Sequence, residues 1–227
     1  MAEINGKKIA WSYSSINLYR TCPNQWRAKY RDKEVEFQAT SATIWGNDVH
    51  REAEMCIKEN REPTERYKLL QPYLNTFKKL PGTMDAEVEL AVTEDLKSCG
   101  FWDTDAWLRG KLDVLIHQGD KGIISDWKTG SAKPNDFGEL RCFSLLTFLN
   151  HEEIEQTKNI YIWLKKDHEP TSEVVKRSQQ QELLDNLAET IHKIEESLMW
   201  DRWYKKKSGL CGQWCDVISC EHNGKRK

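Results

Sequence analysis

The chain has 227 residues, of which 38% are hydrophobic and 31% are charged, and its formal net charge is −2. These values exclude a disordered chain and are typical of a globular protein. The sequence holds no run of about 18 apolar residues and no apolar signal core in residues 1–8. We therefore expect neither a membrane span nor secretion, but a cytoplasmic protein.

Residues 1–80 are predicted to be mainly helical. Ser12 or Ser14 can cap a first helix, which ends near Pro23 because proline cannot continue the hydrogen-bond ladder. Three further helices are predicted, one through Trp26 and Tyr30, one over Ala42–Lys58 and one over Thr64–Leu80.

After position 84, alternating apolar and polar residues predict β-strands rather than helices. Gly119-Asp120 is typical of a tight turn, and it lies between the second and third of these segments. The sequence therefore predicts a three-stranded meander over Ala86–Thr93, Trp107–His117 and Gly122–Trp127.

The rest of the chain returns to helix. Four segments are predicted: a helix over Asn135–Asn150, a strand over Ile160–Leu164, a helix from Ser178 through Leu198, and a cysteine-rich tail from Ser208. No stretch rich in proline, glycine or serine divides the chain, so we expect one α/β domain over 1–227. Within it, 1–80 is a helical elaboration, 84–200 the catalytic core and 201–227 the cysteine-rich tail.

Two carboxylates and a lysine stand at positions that suit a metal site. Asp126 and Lys128 are two apart in a predicted strand, so they face the same side, and Asp113 lies in the preceding strand. Carboxylate oxygens suit Mg²⁺ or Mn²⁺, and such an ion can polarise a phosphodiester and activate a water. An incidental surface hairpin is the alternative, and the Asp-x-Lys spacing alone would not exclude it.

The motifs around these residues resemble the RecB-type branch of the PD-(D/E)XK nucleases. The Gly-x-x-Asp strand is followed by Asp-x-Lys-Thr-Gly, and two earlier segments resemble the N-terminal signature and the Gly-x-x-x-His-x-x-x-Glu helix of that branch: 12–23 and 45–54. The motifs occur in the expected order from Ser12 to His222. The nearest resemblance is to phage-encoded exonucleases, with nucleases of CRISPR adaptation as a related group.

The resemblance implies a fold and a role for individual residues. The fold is a restriction-endonuclease-like core, with a central mixed sheet flanked by helices. His50, Asp113 and Asp126 match metal ligands, and Lys128 matches the catalytic lysine. Glu87 falls where the family often has a catalytic strand glutamate, although an outward-facing strand residue is an equal alternative; for His50 the alternative is an ordinary helix histidine.

The helix after the Asp-x-Lys motif departs from the family pattern. Relatives carry Gln-x-x-x-Tyr there, whereas this chain has Glu139 and Phe143. Glu139 and Arg141 are the predicted substrate-binding residues of this helix. The departure leaves their contacts open, and Arg141 could contact a phosphate or only solvent.

Four cysteines near the two ends of the chain match another feature of the branch. Its members can hold a [4Fe-4S] cluster on one N-terminal and three C-terminal cysteines, which here correspond to Cys22, Cys211, Cys215 and Cys220. The C-terminal spacing differs from the usual family pattern. Zn²⁺ on the same thiolates, or no metal at all, are the alternatives.

Basic residues cluster at three places, which are Arg27 to Lys33, Lys205–Lys207 and Lys225–Lys227. Such clusters are usually solvated surface, and contact with nucleic acid is the alternative.

Together these features predict a metal-dependent DNA nuclease. We expect an exonuclease that acts on single strands or duplex ends, in recombination, repair, replication or degradation, and in the host cytoplasm if phage-encoded. One alternative is a catalytically inactive nucleic-acid-binding subunit of the same fold. The other is a structural iron-sulfur or zinc protein; protein partners stay undefined.

Overall fold

The computed structural model describes residues 2–4, 6–36, 38–131, 136–165 and 168–225. The chain divides into two compact units: a central unit, Ala39–Leu183, and a terminal unit made of Met1–Gln38 and Leu184–Lys227. The expectation of one nuclease domain over 1–227 stays a prediction.

The described residues form six α-helices and eight strands. The helices are α1 (Tyr13–Thr21), α2 (Pro23–Trp26), α3 (Ser41–Lys58), α4 (Gln71–Phe77), α5 (Gly138–Asn150) and α6 (Gln180–Trp200). The strands are β1 (Glu3–Ile4), β2 (Lys7–Lys8), β3 (Thr83–Val92), β4 (Ser98–Cys99), β5 (Leu108–Gln118), β6 (Lys121–Lys128), β7 (Gln156–Trp163) and β8 (Thr171–Lys176). A π-helix covers Arg27–Arg31, and 3-10 helices cover Glu65–Leu70, Arg177–Gln179 and Gly209–Cys211.

The central unit is built on a six-stranded sheet with the order β4-β3-β5-β6-β7-β8. Neighbouring strands are antiparallel except β6 and β7, which are parallel and joined through α5. Gly119, with φ +55°, begins the two-residue turn between β5 and β6, a conformation that glycine adopts without steric cost. The mixed sheet confirms the predicted α/β class, and the predicted meander corresponds to β3, β5 and β6.

Helices cover both faces of this sheet. On one face, α3 and α4 pack on Val114, Ile116 and Trp127. On the other, α5 is buried along nearly its whole length, which explains why its apolar residues extend around the helix rather than along one stripe. Asp113, Asp126 and Lys128 therefore lie on strands that helices cover on both faces.

Several predicted boundaries differ from the structure. The predicted helix over Thr64–Leu80 is a 3-10 helix followed by the short α4, since Pro72 favours a new helical start. The strand predicted over Ile160–Leu164 begins four residues earlier, at Gln156. Helix α5 is described from Gly138, and Asn135, its predicted first residue, lies outside the described residues.

Strand β8 and the β1–β2 hairpin were not predicted from the sequence. Strand β8 alternates only weakly and lies at the edge of the sheet, where polar residues are tolerated on both faces. The helix predicted from Ser178 begins as a 3-10 turn, and α6 itself starts at Gln180.

The terminal unit packs helices from both ends of the chain around aromatic side chains. Trp26 is fully buried and stacks on Trp203, with ring centroids 5.5 Å apart. The Tyr19 hydroxyl donates to the backbone oxygen of Lys193 on α6 at 2.9 Å. Arg226 and Lys227 of the third basic cluster lie outside the described residues.

A search of the described helices finds none with the length and apolar character needed to cross a bilayer.

Helix α5 packs so closely on β5 that we expect Gly110→Ala to destabilise the protein. A Cβ at Gly110 would lie 2.8 Å from Leu146 and 2.9 Å from Phe143. Such overpacking costs about 1–3 kcal/mol of unfolding free energy, to be measured by chemical denaturation. Gly209→Ala is the control, because a Cβ there meets nothing within 4 Å. Equal stabilities of the two variants would contradict this packing.

Candidate active site

The three residues of the predicted site lie on the two central strands. Asp113 is on β5, and Asp126 and Lys128 are at the end of β6. One carboxylate oxygen of Asp113, Oδ2, accepts the backbone N–H of Trp127 at 2.9 Å. This bond fixes the Asp113 side chain against the neighbouring strand and brings the two motifs together.

The alternation of strand β5 changes phase close to Asp113. Gly110 lies against Phe143 of α5, whereas Val114 packs with Val49 of α3 on the opposite face of the sheet. Residues four apart in a regular strand would face the same side. The change therefore occurs between positions 110 and 114, and Asp113 lies inside it.

Strand β3 has its irregularity at the same level. The β3–β5 ladder passes over Glu87 and Asp113, while the pairs on either side keep one register. Glu87 has φ +56°, a left-handed conformation that is strained for a glutamate. Strained residues of this kind cluster at functional sites, where the surrounding structure holds them in place.

This arrangement brings three metal-binding side chains together. The imidazole of His50 and the carboxylates of Glu87 and Asp113 offer ligand atoms that all lie within 4.8 Å of one another. Ligand atoms on one ion with bonds of about 2.1 Å lie at most about 4.2 Å apart, so small side-chain movements would bring these three onto a shared ion. One nitrogen and two oxygen donors suit Mn²⁺ or Mg²⁺, so the residues fit the ion that the sequence predicts.

Helix α3 places His50 above the sheet. Its Nδ1 lies 3.1 Å from Oδ1 of Asp113. The helix approaches the end of β6 closely at Gly46, where a Cβ would lie 3.3 Å from the Thr129 hydroxyl oxygen. The small residue four positions before the histidine thus lets the helix bring His50 to the carboxylates.

Charges around His50 favour its protonated form. Burial lowers the pKa of the imidazole, but the hydrogen bond and charge of Asp113, with the charges of Asp126 and Glu87, outweigh burial and raise the pKa to about 9. A metal ion binds the neutral imidazole, so its binding at neutral pH would release this proton.

Lys111 completes the group around Glu87. Its Nζ lies 2.6 Å from Oε2 of Glu87, and this contact raises the pKa of Lys111. These residues line an open pocket, whose full lining is Asn47, His50, Arg51, Glu54, Glu87, Lys111 and Asp113. The pocket thus has both ligand atoms for a cation and positive charges that suit a phosphate.

Asp126 and Lys128 form a second, deeper group with a residue of α5. Lys128 Nζ lies 2.7 Å from Oδ2 of Asp126 and 2.8 Å from Oε2 of Glu139, and it stands 5.1 Å from the ring centre of Tyr161. Burial lowers the pKa of Lys128, but the two carboxylates outweigh burial and raise the pKa, so the ammonium stays charged. Burial and the charge of Asp113 raise the pKa of Asp126, because a second carboxylate nearby is repulsive.

The predicted ligand set and the observed grouping differ in one residue. His50 and Asp113 were both predicted as ligands, and they come together with Glu87. Asp126, the third predicted ligand, instead contacts Lys128. The catalytic and metal-binding roles of these residues stay predictions.

The two predicted substrate contacts on α5 have other partners in the structure. Glu139 points to Lys128 at 2.8 Å. Arg141 makes a two-pronged contact with Glu173 of β8, with distances of 2.7–3.1 Å. Phe143, at the position of the family tyrosine, is buried against Gly110. The departure at position 143 is therefore accommodated by packing.

Lys111 and Tyr161 were not predicted from the sequence. The sequence could have indicated Lys111, because it lies two residues before Asp113 in a predicted strand and so is expected on the same face. It could not have indicated Tyr161, whose position beside Asp126 depends on the parallel pairing of β6 with β7.

The four clustered cysteines all belong to the terminal unit, where they line one cavity: Cys22, Cys211, Cys215 and Cys220. Burial raises the pKa of the Cys215 thiol, and the other three thiols raise it further. The backbone N–H of Ser208 lies 3.4 Å from Sγ of Cys211. Within the described chain, no three of these sulfurs lie within 4.8 Å of one another.

Comparison with known proteins gives a family match and several similar solved structures, two of which are described here. The model of the PD-(D/E)XK nuclease superfamily matches residues 10–220. A candidate exonuclease from Eubacterium rectale is similar with a TM-score of 0.55 at 12% identity, over 89% of this chain and 86% of that chain. The crystal structure of SSO0001 is similar with a TM-score of 0.51 at 12% identity, over 98% of this chain and 89% of that one. No curated protein gives a significant match.

These matches bear on the fold and the family. At 12% identity the two solved structures show the fold alone. The family match and the six-stranded mixed sheet together confirm the predicted restriction-endonuclease-like core.

Metal affinity tests the grouping of His50, Glu87 and Asp113. We expect Glu87→Gln to weaken Mn²⁺ binding, measured by calorimetric titration, by roughly tenfold or more, because losing even an outer partner of a metal ligand has that effect. Glu89→Gln is the matched control, since Glu89 lies two residues along the same strand and pairs with Lys111 in the ladder. Equal Mn²⁺ affinities of the two variants would exclude Glu87 as a ligand.

Proposed function

Because the chain belongs to the PD-(D/E)XK nuclease superfamily, we propose that it is a divalent-metal-dependent nuclease that hydrolyses DNA. The observation that carries the proposal is the group of His50, Glu87 and Asp113, whose ligand atoms lie within 4.8 Å of one another. Trp127, which bonds to Asp113, stands between Asp126 and Lys128, so the second group lies beside the first.

Each residue has a role that its position supports. His50, Glu87 and Asp113 would hold Mg²⁺ or Mn²⁺, with Asp126 within electrostatic reach of Asp113. Bound there, the ion would polarise the phosphodiester and lower the pKa of a water. Lys128, kept charged by Asp126 and Glu139, would stabilise the negative charge that develops on the phosphate.

The finer assignments follow the sequence resemblance. Exonuclease action on single strands or duplex ends is proposed from the RecB-type motifs, because the solved structures at 12% identity support only the fold. Three further assignments also stay predictions from the sequence. They are the link to phage-encoded and CRISPR-adaptation nucleases, the cytoplasmic location and the biological process.

Digestion of end-labelled DNA tests the proposed function. We expect wild-type protein with Mn²⁺ to degrade DNA and Lys128→Ala to be slower by about 10²–10³-fold, the usual effect of losing one charge-stabilising donor. Lys121→Ala, an exposed lysine at the other end of β6, is the control and should retain activity.

Two results would count against this assignment. An unchanged rate for Lys128→Ala would refute the role of Lys128. Inactivity of the wild-type protein on both single-stranded and duplex DNA would favour the inactive binding subunit. Retained Mn²⁺ binding by Lys128→Ala would show that the metal-binding group is still intact.

We also propose that the four cysteines of the terminal unit hold a [4Fe-4S] cluster. They line one cavity, as four cluster ligands must. The motif resemblance favours a cluster over zinc, because members of the RecB-type branch can hold a [4Fe-4S] cluster on one N-terminal and three C-terminal cysteines. Zn²⁺ on the same thiolates stays the alternative.

Metal analysis of anaerobically purified protein separates these alternatives. We expect about four iron atoms and four sulfides per chain, and their loss in Cys215→Ser. Cys99→Ser is the control, because Cys99 is similarly half-buried but belongs to the central unit. One zinc per chain, or no metal, would contradict the cluster without affecting the nuclease proposal.

A further inference from the structure

A groove in the terminal unit has the chemistry of a nucleic-acid-binding surface. Its lining comes from α1, α6 and the segment after α6, and its polar side chains include Arg20, Lys193, Lys205 and Lys206. Tyr19 and Tyr204 contribute the aromatic part. Among the described residues that line it, four are cationic and none is acidic.

Neutral partners hold two of these cations in place. Arg20 donates to the Thr190 hydroxyl at 2.8 Å and to the backbone oxygen of Asn186 at 2.6 Å. Lys206 donates to the backbone oxygen of Arg20 at 3.0 Å. These acceptors fix the position of each side chain without cancelling its charge.

The other two cations are in exposed ion pairs. Lys193 lies 2.6 Å from Glu189, one helical turn away, and Lys205 lies 2.6 Å from Glu221. Exposed pairs of this kind contribute little free energy, so a phosphate can compete for either lysine. The four cations exceed these two carboxylates, which leaves the groove positive although the whole chain is not.

Tyr204 adds a contact that a phosphate site alone would not need. Its side chain is 73% exposed, at the start of the basic run Lys205–Lys207. Exposed aromatic rings beside cations bind single-stranded nucleic acids, since any base can stack on the ring while the backbone follows the positive charges.

We propose that this groove binds a single strand of DNA, with phosphates on Arg20, Lys193, Lys205 and Lys206 and a base on Tyr204. The inference rests on the proposed function, because a nuclease supplies the reason for a DNA strand as the occupant. It assigns a function to Lys205 and Lys206, two residues of a basic cluster for which solvated surface was the default interpretation.

The test measures binding of a fluorescent single-stranded oligonucleotide by anisotropy across a range of salt. All proteins carry Lys128→Ala and no Mn²⁺ or Mg²⁺ is added, so that degradation of the DNA is too slow to affect the measurement. We expect Lys205→Gln with Lys206→Gln to make the slope of log affinity against log salt shallower by about 1.4, for two lost phosphate contacts. At 0.1 M salt the affinity should fall about 25-fold.

Matched variants separate the groove from general charge and from the cysteines. Lys7→Gln with Lys8→Gln removes two exposed consecutive lysines of the same unit and should keep the parent slope. Lys193→Gln should reduce the slope by about 0.7. Lys193 does not line the cysteine cavity, whereas Lys205 and Lys206 do, so its effect cannot come through a cluster.

The aromatic contact has its own pair of variants. Tyr204→Ala should weaken binding about fivefold or more without changing the salt slope, because stacking carries no charge. Tyr204→Phe should bind like the parent protein. Similar loss in both would exclude stacking and overturn the part of the proposal that concerns the base.

Cleavage of a small phosphodiester, bis(p-nitrophenyl) phosphate, distinguishes the two proposals. The groove variants in the wild-type background should hydrolyse it with Mn²⁺ at the wild-type rate, because its hydrolysis does not require a DNA strand to bind in the groove. If the wild-type protein binds DNA with the predicted salt slopes but cleaves neither substrate, the nuclease proposal is wrong. The proposal that the groove binds DNA would still hold. Unchanged DNA affinity in the lysine variants, or equal loss in the Lys7 and Lys8 control, would overturn the groove.

Discussion

Repulsion among carboxylates is the constraint on which the central unit depends. Glu87, Asp113, Asp126 and Glu139 converge on the middle strands, where burial and the charge of Asp113 raise the pKa of Asp126. Each is held by a donor: Lys111 for Glu87, His50 and the Trp127 N–H for Asp113, and Lys128 for Asp126 and Glu139. Two of these donors, His50 and Lys128, also have roles in the proposed chemistry, as a metal ligand and as the cation that stabilises charge on the phosphate. A metal ion bound at His50 and Glu87 would replace part of the charge compensation that the protein's own donors provide.

The sheet accommodates this concentration of charge by departing from regular geometry at one level. Glu87 adopts a left-handed conformation, and the alternation of β5 changes phase beside Asp113. In a regular strand successive side chains alternate between the two faces, so Asp113 and Val114 could not both face α3. The irregularity lets Asp113 face His50 of α3 while it also receives the Trp127 N–H from β6. Helix α5 packs tightly on Gly110 and α3 packs with Val114 on the opposite face, so helices cover the irregular segment on both sides.

The terminal unit differs from the central unit because it is built from the two ends of the chain, which must pack together. Buried aromatic residues, with Trp26 stacked on Trp203, and the Tyr19 bond to α6 make this connection. The four cysteines lie next to the groove, and Lys205 and Lys206 line both. A metal centre there would fix the segment that carries Tyr204 and its lysines. The unit would then add substrate binding, whereas the central unit holds the residues proposed for hydrolysis.

Local sequence patterns were enough to predict the mixed α/β class and the three strands of the meander. They also indicated Asp113, Asp126, Lys128 and His50 as candidate site residues. These features depend on alternation, turn residues and short motifs, which are local along the chain. The sequence did not determine the edge strand β8, the contact of Lys111 with Glu87, the place of Tyr161 beside Lys128, or that Glu87 rather than Asp126 joins His50 and Asp113. Those depend on strand order, parallel pairing and a break in alternation, and only packing between distant segments fixes them. The sequence also did not show that residues of the basic run Lys205–Lys207 share a groove with Arg20 and Lys193, because those two residues come from other parts of the chain.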